Sequence, residues 1–337
     1  MQRIEPGFRF DEKTVNDKIE SLEGLDAVDE HDRDTLRKAL AGKGLQIRSL
    51  HPAKPLNDLH FLAQDASMIK REMRYHALWA FHGISVSCVY DGLMHKDMLV
   101  GQGMQPYGSL MYSSELDLGV FRPYSDLDER LNSLRVGKEL GMMLDTSDKS
   151  LELEGKPLFY LIDGSLATSL KHNGSVNGAT EHEMAKEAIA GILARDRVVG
   201  MVEDSHATDI SRIMGYEMTN MMMFEIALEP GEYVAQKADG ISVCYIKLPS
   251  KEMESMPAGV SPPLTVRWEF NYEGFEDDLN NLAHIWIEEA DILHPQLYPV
   301  RIADYLTRRV KVAGLLDLTV KKKELLPQYR KLRQGLY

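Results

Sequence analysis

Three acidic residues of this chain each close a short apolar run. Leu158-Phe159-Tyr160-Leu161-Ile162 leads into Asp163-Gly164-Ser165, Ile84–Tyr90 leads into Asp91-Gly92, and Val198–Val202 leads into Glu203-Asp204-Ser205. Apolar runs of this length read as buried strands, so each acid is expected at a strand end. Carboxylates gathered there suit a divalent cation. Mg²⁺ and Mn²⁺ take hard oxygen ligands, and phosphoryl-transfer sites hold them with a few carboxylates plus substrate oxygens. A single Asp-Gly has a plain structural explanation, because it is a common turn. The joint placement of several argues for more, since like charges collected at one point repel and call for a cation. Glu139 and Asp304, both on expected helices, could reach the same point. Two ions roughly 4 Å apart could then activate a water and stabilise a leaving alkoxide in phosphodiester hydrolysis.

The elements that must position these acids can be traced along the chain. Residues 1–55 are expected to form an N-terminal helical extension, ended by the break Pro52-Ala53-Lys54-Pro55. The stripe Leu59, Leu62, Ala63 and Ala66 predicts one helix over 56–80. The strand ending at Asp91 follows, then strand-like runs at 98–104 and 109–116 around Gln105-Pro106-Tyr107-Gly108. A helix is expected over 125–144, with Glu139 in its second half, and another over 181–195. Later come β-rich runs at 242–248 and 264–270, a long amphipathic helix over 275–293, and a last helix over 300–315 that carries Asp304. Strand, strand, strand, helix, strand, helix, strand is the layout of an RNase H-like domain: an α/β fold with a mixed sheet flanked by helices. That domain is expected over 56–318, with C-terminal helices and a basic tail over 319–337.

Composition narrows the class. The chain has 337 residues, 44% of them hydrophobic and 27% charged, which is ordinary for a globular protein. No segment approaches a membrane span, and the N-terminus lacks a signal-peptide pattern, so a cytoplasmic protein is expected. Cys88 and Cys244 are too few for a disulfide framework or a zinc cage and sit in apolar runs, as buried free thiols do. The net charge of −13 argues against coating nucleic acid by electrostatics alone. No P-loop or dinucleotide fingerprint is present, so nucleotide hydrolysis would have to come from a partner.

The ordered set of motifs resembles the NurA nuclease family, which partners the HerA translocase. It comprises Asp91-Gly92 after a strand, the helix segment Leu134–Leu140 with Glu139, Leu161-Ile162-Asp163-Gly164-Ser165-Leu166, Val198–Ser205, and Tyr298-Pro299 leading into Ala303-Asp304. The resemblance spans about residues 84 to 312. It implies an RNase H-like, Mn²⁺- or Mg²⁺-dependent DNA nuclease holding two ions, a homodimer docked on a hexameric HerA-type ATPase, and DNA as substrate in end processing or anti-phage defence. By the same resemblance Asp91, Glu139 and Asp163 are metal-binding acids, Asp304 is a fourth, and Tyr298 lies beside the site. Asp204 is added from its strand-end position. Glu129 competes with Glu139, but it lies in the first helical turn, where an acid serves the helix dipole.

The chain departs from the family pattern at Leu93, Glu203 and Tyr305, where Ser, Lys and His are usual. These departures motivate a competing reading, a catalytically weak or inactive subunit that assembles on or regulates a HerA-like ring. A third is action on RNA or hybrids. The scattered histidines form no zinc pattern; His206 and His294 are candidates for proton transfer, with an uninvolved loop histidine the simpler explanation. Met218, Met221, Met222 and Met223 read as core filling or a pliable partner surface.

Overall fold

The computed structural model describes residues 30–51, 59–72, 76–90, 107–121, 126–150, 158–166, 180–202, 205–248, 265–289, 296–314 and 316–317. In chain order its elements are α1 (Glu30–Gly42), β1 (Ile47–Ser49), β2 (Leu59–Glu72), β3 (Ala77–Tyr90), β4 (Tyr107–Phe121), α2 (Leu127–Ser150), β5 (Leu158–Asp163), α3 (Thr180–Leu193), β6 (Val198–Val202), α4 (Asp209–Ile213), α5 (Asn220–Ala227), β7 (Glu232–Ala238), β8 (Ile241–Lys247), β9 (Thr265–Phe270), α6 (Glu276–Glu289) and α7 (Tyr298–Arg309).

The strands form one mixed sheet in the order β1-β7-β8-β9-β6-β5-β2-β3-β4. Strands β2, β3 and β4 are an antiparallel meander. Strand β2 then pairs in parallel with β5, and β5 with β6, through the crossover helices α2 and α3. This is the expected RNase H-like arrangement. Strand β9 continues it antiparallel to β6, and β8, β7 and β1 extend the sheet further.

Side chains alternate between the two faces of the sheet, and both faces are covered. On one, Leu62, Tyr160, Ile162 and Val198 pack against Leu36 and Leu40 of α1, Leu140 and Met143 of α2, Ile189 and Ile192 of α3, and Met223 and Phe224 of α5. On the other, Phe61, Phe159, Leu161, Val199 and Trp268 pack against Leu279, Leu282 and Trp286 of α6 and Val300 of α7. Cys88 and Cys244 are buried free thiols, as expected. Among the described residues no helix is long and apolar enough to cross a membrane.

One sequence expectation is overturned. Residues 59–72 and 77–90 form a pair of 14-residue strands in place of a helix over 56–80. Leu59, Leu62, Ala63 and Ala66 do fall at helical spacing. They do so because Leu59 through Gln64 are all buried, in a strand covered on both faces, where apolar positions need not alternate. The polar residues of that stretch are buried with it, and His60 Nε2 lies 2.7 Å from Ser87 Oγ. The run at 98–104 and the tail from 318 onward lie outside the described residues.

Candidate active site

Unequal strand lengths create the site. In the parallel pair, Gln64 lies opposite Ile162. One residue further, Asp65 comes level with Asp163, where β5 stops. Strand β2 runs on to Glu72 with no further strand partner on that side among the described residues, so the sheet has a notch beside Asp65. Asp65 pairs with Ile84, which packs against Ala303 of α7. Its neighbour Ala66 packs on the opposite face, toward α2. Helices on both faces therefore reach the notch, α2 bringing Glu139 and α7 bringing Asp304.

The electrostatics show that the four acids sense one another. Burial pushes the Asp65 carboxyl above its ordinary range, and Asp304 adds to this, while the Thr307 hydroxyl works the other way. That hydroxyl also donates to the Asp65 carbonyl oxygen at 3.2 Å and to Ala303 O at 2.9 Å, fixing α7 against β2. Glu139, only 7% exposed, is pushed up to about 7 by burial; Arg135 opposes this, and Asp65 and Asp163 reinforce it. Asp163 is pushed up to about 6 by its protein surroundings, by Asp65 and by Asp304. Its side chain is open to water on one side, so for this residue the nearness of the two acids is the firmer cause. Two arginines offset the repulsion from one turn away: Arg135 Nη1 lies 2.9 Å from Glu139 Oε2, and Arg308 Nε 2.6 Å from Asp304 Oδ1. Both are i,i+4 pairs on their helices.

The donor set is all carboxylate oxygen, which fits a hard divalent cation in charge and ligand type. It is an open set. Among the described residues no three Asp, Glu, His or Cys side chains close on one point as ion ligands do.

Of the expected site residues, the structure brings Glu139, Asp163 and Asp304 together. Asp91 and Asp204 lie outside the described residues, as does His294. Tyr90, which precedes Asp91, pairs with Leu59, six residues and about 20 Å along β2 from Asp65. Asp65 stands where a first-strand acid was expected. Sequence reasoning missed it because it lies mid-strand in a segment read as a helix. Tyr298 opens α7 with the Arg301 guanidinium over its ring, and Asp304 follows about 9 Å further along the helix axis. Glu129 is exposed in the first turn of α2, in keeping with a helix-dipole role.

Neither a protein-family model nor a curated protein sequence matches the chain. Solved structures do. The chain has the fold of the NurA nucleases: the NurA nuclease from Sulfolobus solfataricus superposes with a TM-score of 0.56 at 14% identity, over 92% of this chain and 98% of that one. A NurA crystal structure with manganese gives 0.52 at 8% identity, over 92% and 97%. A further NurA structure gives 0.51 at 9% identity, over 91% and 96%. The expected resemblance thus holds at the level of the fold across nearly the whole chain.

Proposed function

We propose that this protein is a metal-dependent DNA nuclease of the NurA type. The observation that carries this reading is the gathering of four carboxylates within electrostatic reach of one another, from β2, α2, the end of β5 and α7, around a notch in an RNase H-like sheet. Asp65, Glu139, Asp163 and Asp304 would hold the metal, Mn²⁺ or Mg²⁺, in one or two ions. The bound cation supplies Lewis-acid stabilisation of phosphate charge and a water nucleophile at neutral pH. The chain's own residues set the geometry. Asp65 and Asp163 on adjacent strands form a rigid base, while Glu139 and Asp304 close it from either face. Arg135 and Arg308 are free to turn from their carboxylates toward a phosphate once metal takes up the acids' charge, since guanidinium suits phosphate oxygens. A NurA crystal structure of like fold contains manganese, which supports a divalent cation here.

The finer parts of the reading concern partners. The net charge of −13 leaves little general grip on a DNA backbone, in keeping with an ATP-driven HerA-type ring that feeds the strand in, for end processing or defence. A homodimer finds support on edge strand β4. Tyr112, Leu116, Leu118 and Val120 stand 64%, 52%, 41% and 49% exposed. They pair with Val86, His82, Ala80 and Leu78 of β3 and so share the sheet face that α7 covers further in. An apolar stripe on a strand that ends the sheet among the described residues invites a second copy.

One observation favours the competing reading of an inactive subunit: the Arg135–Glu139 and Arg308–Asp304 pairs each occupy an acid. The same assay decides between them. Labelled linear single- and double-stranded DNA is incubated with Mn²⁺, Mg²⁺ or EDTA, wild type beside Asp163→Asn. Metal-dependent degradation that the substitution abolishes establishes the nuclease. No degradation, even with a HerA-type ATPase and ATP added, moves the assignment to the regulatory subunit.

A further inference from the structure

Next to the loop that follows Asp163 lies a buried ion pair on β9. Glu269 is 0% exposed, and the Arg267 side chain is largely covered. Arg267 Nη2 meets Glu269 Oε1 at 2.5 Å. Taking two charges out of water is costly, and a hydrophobic pair of similar volume often does as well for stability. A buried pair therefore asks for a reason beyond the core, and its other contacts supply one.

Each member reaches a different loop. Ser165 Oγ donates to the Glu269 carboxylate, 2.9 Å from Oε1 and 3.2 Å from Oε2. Arg267 Nη1 donates to Ser205 Oγ at 3.0 Å, with the guanidinium over the Tyr245 ring. Ser165 lies two residues after Asp163, and Ser205 follows directly on Asp204. The chain Ser165–Glu269–Arg267–Ser205 thus ties the loops that leave β5 and β6 to one rigid strand. The first loop is seated tightly as well. Gly164, at a φ of 124°, donates its N–H to Met201 O at 2.9 Å. The fold back over β6 is possible because position 200 has no side chain: a Cβ there would stand 2.8 Å from the Gly164 carbonyl oxygen.

We propose that Arg267 and Glu269 are positioning residues, a brace that fixes the Gly164–Leu166 loop and thereby aims the Asp163 carboxylate into the notch beside Asp65. The proposal deepens the nuclease reading and rests on it for its catalytic consequence. The brace itself is a structural claim that can be tested separately. A charged hydrogen bond is worth more than a neutral one. Its loss should tell on the aim of Asp163 before it tells on the fold, because Asp163 lies at the strand end where restraint is weakest.

Ser165→Ala removes the loop's half of the contact and leaves the ion pair intact. Ser165→Thr restores a hydroxyl. Glu269→Gln keeps the shape of the side chain and leaves a neutral acceptor opposite Ser165. Three readouts are compared with wild type: amide hydrogen exchange in peptides covering 158–166, Mn²⁺ binding by calorimetry, and cleavage kinetics. The expected result for Ser165→Ala is a melting temperature close to wild type, faster exchange after Asp163, and Mn²⁺ binding weakened about tenfold. kcat should fall while KM for DNA is unchanged, and Ser165→Thr should recover each quantity. Glu269→Gln should fall between wild type and Ser165→Ala in exchange, Mn²⁺ affinity and kcat, since a neutral hydrogen bond is weaker than a charged one. Unchanged exchange after Asp163 in Ser165→Ala overturns the brace. So does wild-type Mn²⁺ affinity and kcat in that variant. If the wild type neither binds Mn²⁺ nor cuts DNA, the nuclease reading is what has failed, and the exchange rates alone decide for or against the brace.

Discussion

Substituting Glu139 by Gln should stabilise the metal-free protein at pH 8. Glu139 is only 7% exposed, and burial with two neighbouring acids pushes its carboxyl from an ordinary 4.5 up to about 7. Because the folded-state value is the higher one, the native protein holds this proton more tightly than the unfolded chain. The stability it contributes is fully present below about pH 4.5 and is lost as pH rises through about 7. The difference corresponds to about 3 kcal/mol. Gln keeps the shape and never ionises, so Glu139→Gln escapes this loss. In EDTA at pH 8 the variant should therefore be about 2–3 kcal/mol more stable than wild type, on the order of 5 °C in melting temperature. At pH 4.5 the two should nearly coincide. Mn²⁺ should reverse the order at pH 8: a thousandfold excess over its dissociation constant adds about 4.1 kcal/mol to wild type and far less to the variant. Thermal melts across pH 4.5–8, with EDTA or Mn²⁺, test each step. If Glu139→Gln melts below wild type at pH 8 in EDTA, or if the gap is the same at pH 4.5, the buried carboxylate is not what costs the metal-free fold its stability.

Asp65→Asn should lower metal-dependent cleavage on the order of a hundredfold or more while leaving the circular dichroism spectrum unchanged; wild-type turnover in this variant would remove β2 from the site. Gly200→Ala forces a Cβ to 2.8 Å from the Gly164 carbonyl oxygen and 2.9 Å from Leu166 Cγ. It should cost about 1–3 kcal/mol in denaturant unfolding and reduce cleavage beyond what that loss explains, since the displaced loop follows directly on Asp163. Leu116→Glu, on the exposed stripe of β4, tests the proposed homodimer: the variant should sediment as a monomer where wild type sediments as a dimer, with stability changed by no more than about 0.5 kcal/mol. A dimer of wild-type strength in this variant would place the self-contact elsewhere. Metal affinity should rise with pH between about 5 and 8, because burial and the neighbouring acids push both Glu139 and Asp163 above the usual carboxylate range and bound metal needs them deprotonated; pH-independent Mn²⁺ binding by calorimetry would contradict this.

What the residues disclosed, and what they withheld, follows from which interactions are local. Strands β5, β6, β8 and β9 show as apolar runs, and α2, α3, α6 and α7 as helical stripes, because each announces its own periodicity within one segment. Strand β7 escaped notice although its signal was present. Ala238-Asp239-Gly240-Ile241 joins it to β8, with Asp239 at a φ of 51° and Gly240 at 82°, and Asp-Gly between strand-forming runs is a strong local sign of a tight hairpin. Glu232-Tyr233-Val234-Ala235-Gln236-Lys237 is too polar for the apolar-run criterion that found the other strands.

The first acid of the site was hidden for a different reason. Looking for carboxylates at the ends of apolar runs finds Asp163, because β5 terminates there. It cannot find Asp65, because β2 does not end at its acid; it runs seven residues past it. Asp65 stands at a notch only because the neighbouring strand is shorter, 6 residues against 14. That relation belongs to the pairing of two segments nearly a hundred residues apart, and neither segment carries it alone. The covered strand compounds the difficulty, since burial on both faces erased the alternation that would have marked β2 as a strand. The helical acids Glu139 and Asp304 came from the ordered motifs of the family resemblance, and each has an arginine four residues away, Arg135 and Arg308. An acid that its own helix already neutralises is unremarkable on a solvated face. On Glu139, which the fold buries, the same spacing marks a charge that the metal-free protein must compensate.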